Sequence, residues 1–483
     1  YSSAADMLAN SPSSVSLQFG LNPYLISDWN TGFFIQDDFR VTPRLILNLG
    51  LRYEYFSVPH ERDDRFFNRA EPFGFGPLIP SDQVYNADRN NFSPRLGFAW
   101  TLDSSGKTVL RGGTGVFFSR VPVRGILQLV QNGVDEPALV KLSRAEALER
   151  GVAYPVGDIS AFKKVPGLPW SSPTLNPNFP NPYSIQWTLT LQRQLTRSLA
   201  LETSYVGNKA SKLFFTRYVG RVDRITGLRP VDGFGEMRHF DTSESTHYSA
   251  WQTSLRKSYS AGFVLNAHYT WANNISFLNG DVTTDQDGPQ DLNNLANERG
   301  PASQDVRHRL VGDIVYELPF QRIWNADTRG RKLLLGGWQV AGIYTAETGL
   351  PFNPSMPNVF RNQRIDYVGG DPYLADSQST LMYLRRSAFA AVPVIQASGA
   401  TARPGTLGRN ALRLPGLWNI DLTVSKSLDF TERIKFQLRA EMINALNHTN
   451  FSGLNTNITQ SDFGKFTGTR GSRTIQLGGR LTF

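Results

Sequence analysis

The stretch Leu45-Ile46-Leu47-Asn48-Leu49-Gly50-Leu51-Arg52-Tyr53-Glu54-Tyr55 decides how this chain is read. Its odd positions are all leucine or tyrosine, whereas the even positions run Ile46, Asn48, Gly50, Arg52, Glu54. Successive side chains of a strand point to opposite faces. Read as a strand, the segment has one continuously apolar face and one that tolerates water.

Working outward, the same two-residue period returns again and again. Pro94, Leu96, Phe98, Trp100 and Leu102 alternate with Ser93, Arg95, Gly97, Ala99 and Thr101. Ile185, Trp187, Leu189 and Leu191 oppose Gln186, Thr188, Thr190 and Gln192, and Trp418, Ile420, Leu422 and Val424 oppose Asn419, Asp421, Thr423 and Ser425. The pattern predicts about 13 strands, at 31–41, 45–55, 92–102, 108–118, 183–195, 199–207, 248–257, 263–272, 306–318, 336–346, 417–428, 434–444 and 474–483. Strand 31–41 is imperfect because Asp37 shares a face with Phe33, Ile35 and Phe39; 108–118 and 336–346 are rich in glycine.

The connections fall into two alternating classes. Thr42–Arg44, Asp103–Lys107, Thr196–Ser198, Ser258–Gly262 and Asp429–Arg433 are tight, with a longer Pro319–Leu335. The others are far longer, and 119–182 and 347–416 are rich in Pro, Trp and Tyr. Long loops at one end and tight turns at the other are the asymmetry of an outer-membrane β-barrel, with turns periplasmic and loops extracellular. Trp100, Tyr316, Trp338, Phe436 and Phe483 fall near turn ends, and Tyr53, Tyr55, Phe118, Tyr269, Trp271 and Trp418 near loop ends. Rings at both ends are the expected interfacial girdles. The fold class expected is therefore all-β: an antiparallel transmembrane wall whose apolar faces meet outer-membrane lipid. An odd strand count whose first strand runs inward implies further strands upstream of Tyr1.

Composition agrees. Aromatics make up 12% of the 483 residues, with 31 Phe and 17 Tyr, while charged residues reach only 19%; disorder needs the opposite balance. Gly 42 and Pro 28 suit many turns. With no cysteine, thiol catalysis, disulfides and cysteine-ligated metals are excluded. The formal charge of +9 comes from Lys and Arg scattered along the chain rather than gathered in a stripe, so nucleic acid is not an expected partner. No apolar run approaches the roughly 18 residues of a transmembrane helix.

Several segments together resemble the C-terminal half of Oar-like TonB-dependent transporters: Gly32–Glu54 (GFFIQDDFRVTPRLILNLGLRYE), Asn91–Trp100, Tyr205–Asn208, Asp305–Phe320 (DVRHRLVGDIVYELPF), Phe436–Phe451 and Ile475–Phe483. The resemblance implies a barrel of 22 strands, an N-terminal plug, and a TonB box through which periplasmic TonB would act. Residues 1–483 would then be the C-terminal part of the barrel domain, with 1–30 the remnant of an extracellular loop. Terminal Phe483 resembles the signal read by the barrel assembly machinery.

The sequence holds no pattern that would carry catalysis or bind a metal. Asp37 and Asp38 point to opposite faces and cannot share a substrate. Ser104-Ser105-Gly106-Lys107-Thr108 lacks the first glycine of a phosphate loop and precedes a strand. Asp281–Asn294, with Asp285, Asp287, Gly288 and Asp291, misses the spacing of a calcium loop. The six histidines (His60, His239, His247, His268, His308, His448) show no metal-ligand spacing on a helix. No catalytic residue, cofactor or metal is expected. The candidate functional positions are lumen-facing by alternation: Arg52, Glu54, Arg95, Arg111, Gln186, Asp313, Arg439, Glu441 and Arg480. The function expected is that of a receptor or transporter for an unidentified extracellular ligand. The alternatives are a passive porin or adhesin and a soluble propeller-like secreted enzyme.

Overall fold

A computed structural model describes residues 3–18, 24–71, 78–81, 83–131, 139–149, 151–152, 173–226, 228, 230–231, 237–277, 288–358, 360, 362–396, 399–431 and 433–483. Thirteen strands follow one another in a single antiparallel meander: β1 (Asn30–Thr42), β2 (Leu45–Phe56), β3 (Phe92–Thr101), β4 (Thr108–Phe118), β5 (Tyr183–Gln194), β6 (Leu199–Val219), β7 (Met237–Ser260), β8 (Phe263–Ser276), β9 (His308–Glu317), β10 (Trp338–Glu347), β11 (Leu417–Asp429), β12 (Lys435–Ile443) and β13 (Thr474–Thr482). Each pairs with its sequence neighbours, so no crossover is needed. Both the imperfect strand and the two glycine-rich ones belong to the wall.

Register carries the alternation around the sheet. Leu49 lies opposite Leu96, Trp187 opposite Gly207, and Leu265 opposite Ile314. Directly opposed residues share a face, so one side of the wall is apolar across all thirteen strands. All eleven aromatics expected at the strand ends lie on or next to that side. Charged residues interrupt it, among them Asp37 opposite Leu49, Arg193 opposite Leu201, Lys257 opposite Leu265 and Lys426 opposite Trp338, while Asp38 turns to the other face and accepts a hydrogen bond from Asn48 at 2.6 Å.

Two expected strands are much too short. β6 and β7 run to 21 and 24 residues, whereas a bilayer needs about 9–11. The extra length, beyond Asn208 and before Tyr248, mixes apolar residues such as Leu213, Phe214, Phe215 and Phe240 with polar ones and shows no sustained alternation to read. A register shift at Lys212, which adopts φ 55°, marks where the hairpin leaves the regular wall; a bulge there adds twist. At the other end, Ser260 pairs with Phe263 across Ala261 and Gly262, both at positive φ, the two-residue turn that matches strand twist.

The sheet is open. β1 and β13 do not pair with one another, and every residue of both is exposed.

The buried apolar core lies almost wholly among the loops. One cluster joins Phe66, Val84, Tyr85, Ile126, Leu129, Leu175 and Phe179 to Phe214 and Phe240 of the extended hairpin. A second gathers Met356, Ile365, Leu384, Phe389, Leu407, Leu412, Ile458 and Phe463 from 348–416 and 444–473. Apolar residues that need burial away from lipid pack against each other here, as in a soluble domain. Segment 1–30, expected as the remnant of an extracellular loop, contains Ser14–Gln18 paired antiparallel with Leu139–Ser143.

Candidate functional site

The non-apolar face of the wall holds all nine sequence-selected positions. Arg52 lies opposite Ser93, Arg95 opposite Gly50 and Gly115, Arg111 opposite Ala99 and Thr190, and Asp313 opposite Asn266. Arg439 opposes Ser425, Glu441 opposes Thr423 and Gln476, and Arg480 opposes Gln437. Glu54 follows Arg52 on the same face of β2.

Several are already partnered. Arg52 pairs with Glu54 at 2.9 Å and Arg439 with Glu441 at 3.0 Å, each along one strand where alternate residues share a face. Asn266 donates to Asp313 at 2.8 Å. Such pairs neutralise charge along the non-apolar face of the wall.

One cross-strand row makes more than a pair. Arg95, Gly115, Gln186, Asn208 and Tyr248 stand opposite one another over five strands, and they line a cavity of about 500 Å³ near the loop end. The Arg95 guanidinium stacks 4.6 Å from the centre of the Phe117 ring. Asn208 Oδ1 is buried without a hydrogen-bond partner among the described residues. Arg95 and Gln186 were legible in the sequence, whereas Asn208 and Tyr248 were not, because they sit at the margins of the strands expected at 199–207 and 248–257, where the alternation stops.

Above the wall, the second loop body is held by charges that the sequence did not advertise. Arg364 and Glu298 form an ion pair at 2.7 Å with 1% and 0% side-chain exposure. Gln290 bridges the same pair: its backbone N–H donates to Glu298, and its side-chain carbonyl accepts from the Arg364 N–H. Buried Arg409 donates to the carbonyls of Ser276 at 2.6 Å and Glu298 at 3.1 Å, and burial pushes its guanidinium down to about 10. Arg413 binds Asp305, and Arg403 holds Asp366 through two 2.7 Å bonds that keep its carboxyl below the usual range. Beside this network lies a cavity of about 490 Å³ whose lining includes Ser303, Phe352, Asn353, Asn362, Gln363 and Asn410. In the first loop body, Arg65 beside Glu61 holds that carboxyl at about 2, helped by backbone N–H donors of Arg65, Asp63 and Leu25.

Among the described residues, no group of three or more His, Asp or Glu side chains is placed to hold a metal. Residues 281–287 of the calcium-like stretch lie outside the described residues. Three histidines sit against tryptophans instead: His448 on Trp418 at 4.0 Å, His247 near Trp187 at 6.1 Å, and His308 on Trp271 at 6.3 Å.

The outer membrane beta barrel domain family matches residues 2–476. The chain belongs to that family. It is an outer-membrane β-barrel protein of bacteria, and a soluble propeller-like enzyme is set aside. No curated protein matches the sequence. Among solved structures, the outer membrane transporter YddB from Escherichia coli is similar at TM-score 0.52 and 10% identity, covering 94% of this chain and 45% of that one. FpvA of P. aeruginosa, bound to pyoverdine, gives 0.45 at 10% identity over 95% of this chain and 39% of that one. The siderophore receptor PiuA from Acinetobacter baumannii gives 0.44 at 10% identity over 95% and 43%. The chain thus spans less than half the length of each, and the likeness is one of fold. None of the three supplies evidence for the Oar-like subtype.

Proposed function

We propose that this chain is the C-terminal part of the barrel of an energy-coupled outer-membrane receptor, of the TonB-dependent kind, and that it carries no catalytic activity. The observation that carries this reading is the continuous polar face of thirteen strands, lined by Arg52, Glu54, Arg95, Arg111, Gln186, Asp313, Arg439, Glu441 and Arg480 and topped by two packed loop bodies. A wall of this width with an open sheet suits a large barrel completed by further strands, and the polar face then lines its lumen. The loop bodies are extracellular and capture the ligand; the tight turns are periplasmic. A plug filling the lumen would meet the nine polar positions, and TonB would act on that plug. Phe483 at the end of β13 is the contact for the assembly machinery.

The rival is a passive porin or an adhesin. Comparing a deletion strain with its parent for solutes removed from the medium separates them. Under the proposal, the parent depletes a solute that the deletion strain leaves, and a protonophore abolishes the difference. Depletion indifferent to the protonophore means a passive channel. No depletion by either strain, with lost surface attachment, means an adhesin.

A further inference from the structure

The connection between β9 and β10 is unlike the other turns. Residues 318–337 form two short helices, Phe320–Ile323 and Arg329–Leu335, where the neighbouring turns take only a few residues. The second helix begins at Thr328, whose hydroxyl accepts from the Arg331 N–H. Its C-terminal end is fixed by side chains of the apolar face. The Trp338 indole N–H donates to the Leu334 carbonyl at 2.9 Å, and the Lys426 ammonium, lying 5.4 Å from the Trp338 ring centre, donates to the Gly336 carbonyl. Trp338 and Lys426 oppose one another in register on the same face as Val340, Leu422 and Val424. Arg329 reaches across to the Phe430 carbonyl of the next turn at 2.7 Å. The helix is therefore strapped to the lipid-facing flank of the wall.

What it exposes there is two-sided. Ile323, Trp324 and Leu334 are 61%, 55% and 72% exposed, and Phe430 and Ile434 beside them continue the apolar band of the wall. Interleaved with them are Arg329, Arg331 and Lys332, all exposed, against the single carboxylate Asp327 in 318–337, while Arg322 lines a cavity with Gln339, Ser425 and Gln437 of the polar face. Apolar and indole side chains beside a cluster of cations are the marks of a segment lying in a bilayer interface, and cations there attract anionic headgroups.

We infer that this helical turn is a binding site for an anionic glycerophospholipid, of the phosphatidylglycerol type, in the leaflet next to the turns. Ile323, Trp324 and Leu334 enter the acyl boundary, while Arg331 and Lys332 hold the phosphodiester. The site follows from the outer-membrane location and the apolar band. Only the assignment to the periplasmic leaflet rests on the topology proposed above.

The test uses the full-length protein in phosphatidylethanolamine nanodiscs containing photoactivatable phosphatidylglycerol or photoactivatable phosphatidylethanolamine, with cross-links mapped by mass spectrometry. The glycerol lipid is expected to label 320–335 in preference to the ethanolamine lipid. The double variant R331Q/K332Q is expected to lose roughly fivefold in labelling per cation removed, with unchanged heat-modifiable migration on gels. If the double variant does not fold, K332E alone is read instead. Labelling indifferent to headgroup, labelling unchanged by the substitutions, or no labelling on this turn overturns the site. Protease access in intact cells, compared with cells whose outer membrane has been permeabilised, tests the leaflet separately, so a wrong topology and a wrong site give different results.

Discussion

Arg364 and Glu298 stand in the second loop body with almost no access to water, and each is the other's principal charge partner. Removing one member strands the other, which costs about 3–5 kcal/mol, whereas replacing both by apolar residues of similar size is near neutral. Arg364→Ala is therefore expected to open 288–305 and 348–416 to hydrogen exchange and proteases while the wall stays folded, and R364M/E298M to restore protection. Equal protection in the single variant and the parent would refute the assignment of the pair as the clamp of this body. Glu61 sets a different expectation. Its carboxyl titrates at about 2 in the folded loop, below the usual 4.5, so its stabilisation is complete above pH 4.5 and is lost as pH falls from there through about 2. Protease resistance of 57–71 should fall across that window. Glu61→Gln, which cannot titrate, should remove the transition; a transition that persists in this variant would place its origin elsewhere.

At the scale of the strand, the two faces of β5 make opposite predictions. Leu189 is at mid-strand on the apolar face and Thr188 is its neighbour on the polar face. Leu189→Arg is expected to lower stability by about 2–4 kcal/mol in denaturant unfolding from liposomes, the cost of a cation at the bilayer midplane. Thr188→Lys should change it little, and equal costs would mean that the faces are misassigned. Packing along the strand is equally specific. Trp187 lies over Gly207, its cross-strand partner, and a Cβ added there would come 2.1 Å from the indole. Gly207→Ala should displace that ring, shift the tryptophan emission and cost about 1–3 kcal/mol. Gly478, where an added Cβ meets nothing within 4 Å, is the control.

The whole molecule is a wall with two raw edges. Phe33, Phe34 and Ile35 of β1 and Leu477 of β13 are each more than two-thirds exposed, and unpaired edges template association. Residues 1–483 expressed alone are expected to aggregate and to run on gels without heat-modifiable migration. A monomeric, heat-modifiable 1–483 would mean that the sheet closes on itself. All thirteen strands were legible in the sequence. Strand alternation is local, and a membrane wall enforces it wherever one side meets lipid. The hairpin extension of β6 and β7 was not legible, because above the bilayer neither face must be apolar and the period disappears. Asn208 and Tyr248 were lost to view for the same reason.

What the sequence by itself determined is the wall: where each strand runs, which face is apolar and which end carries the loops, since these follow from a period of two and from the spacing of turns. The tertiary structure alone decided the rest. The Arg364–Glu298 pair spans 66 residues and the Arg409–Ser276 contact 133, and an arginine in a loop looks the same in sequence whether it is solvated or buried. The helical turn at 318–337 likewise read only as a longer connection. That it lies on the lipid side depends on Trp338 and Lys426, two side chains brought together by strand pairing across 88 residues of chain, a distance at which no local pattern carries information.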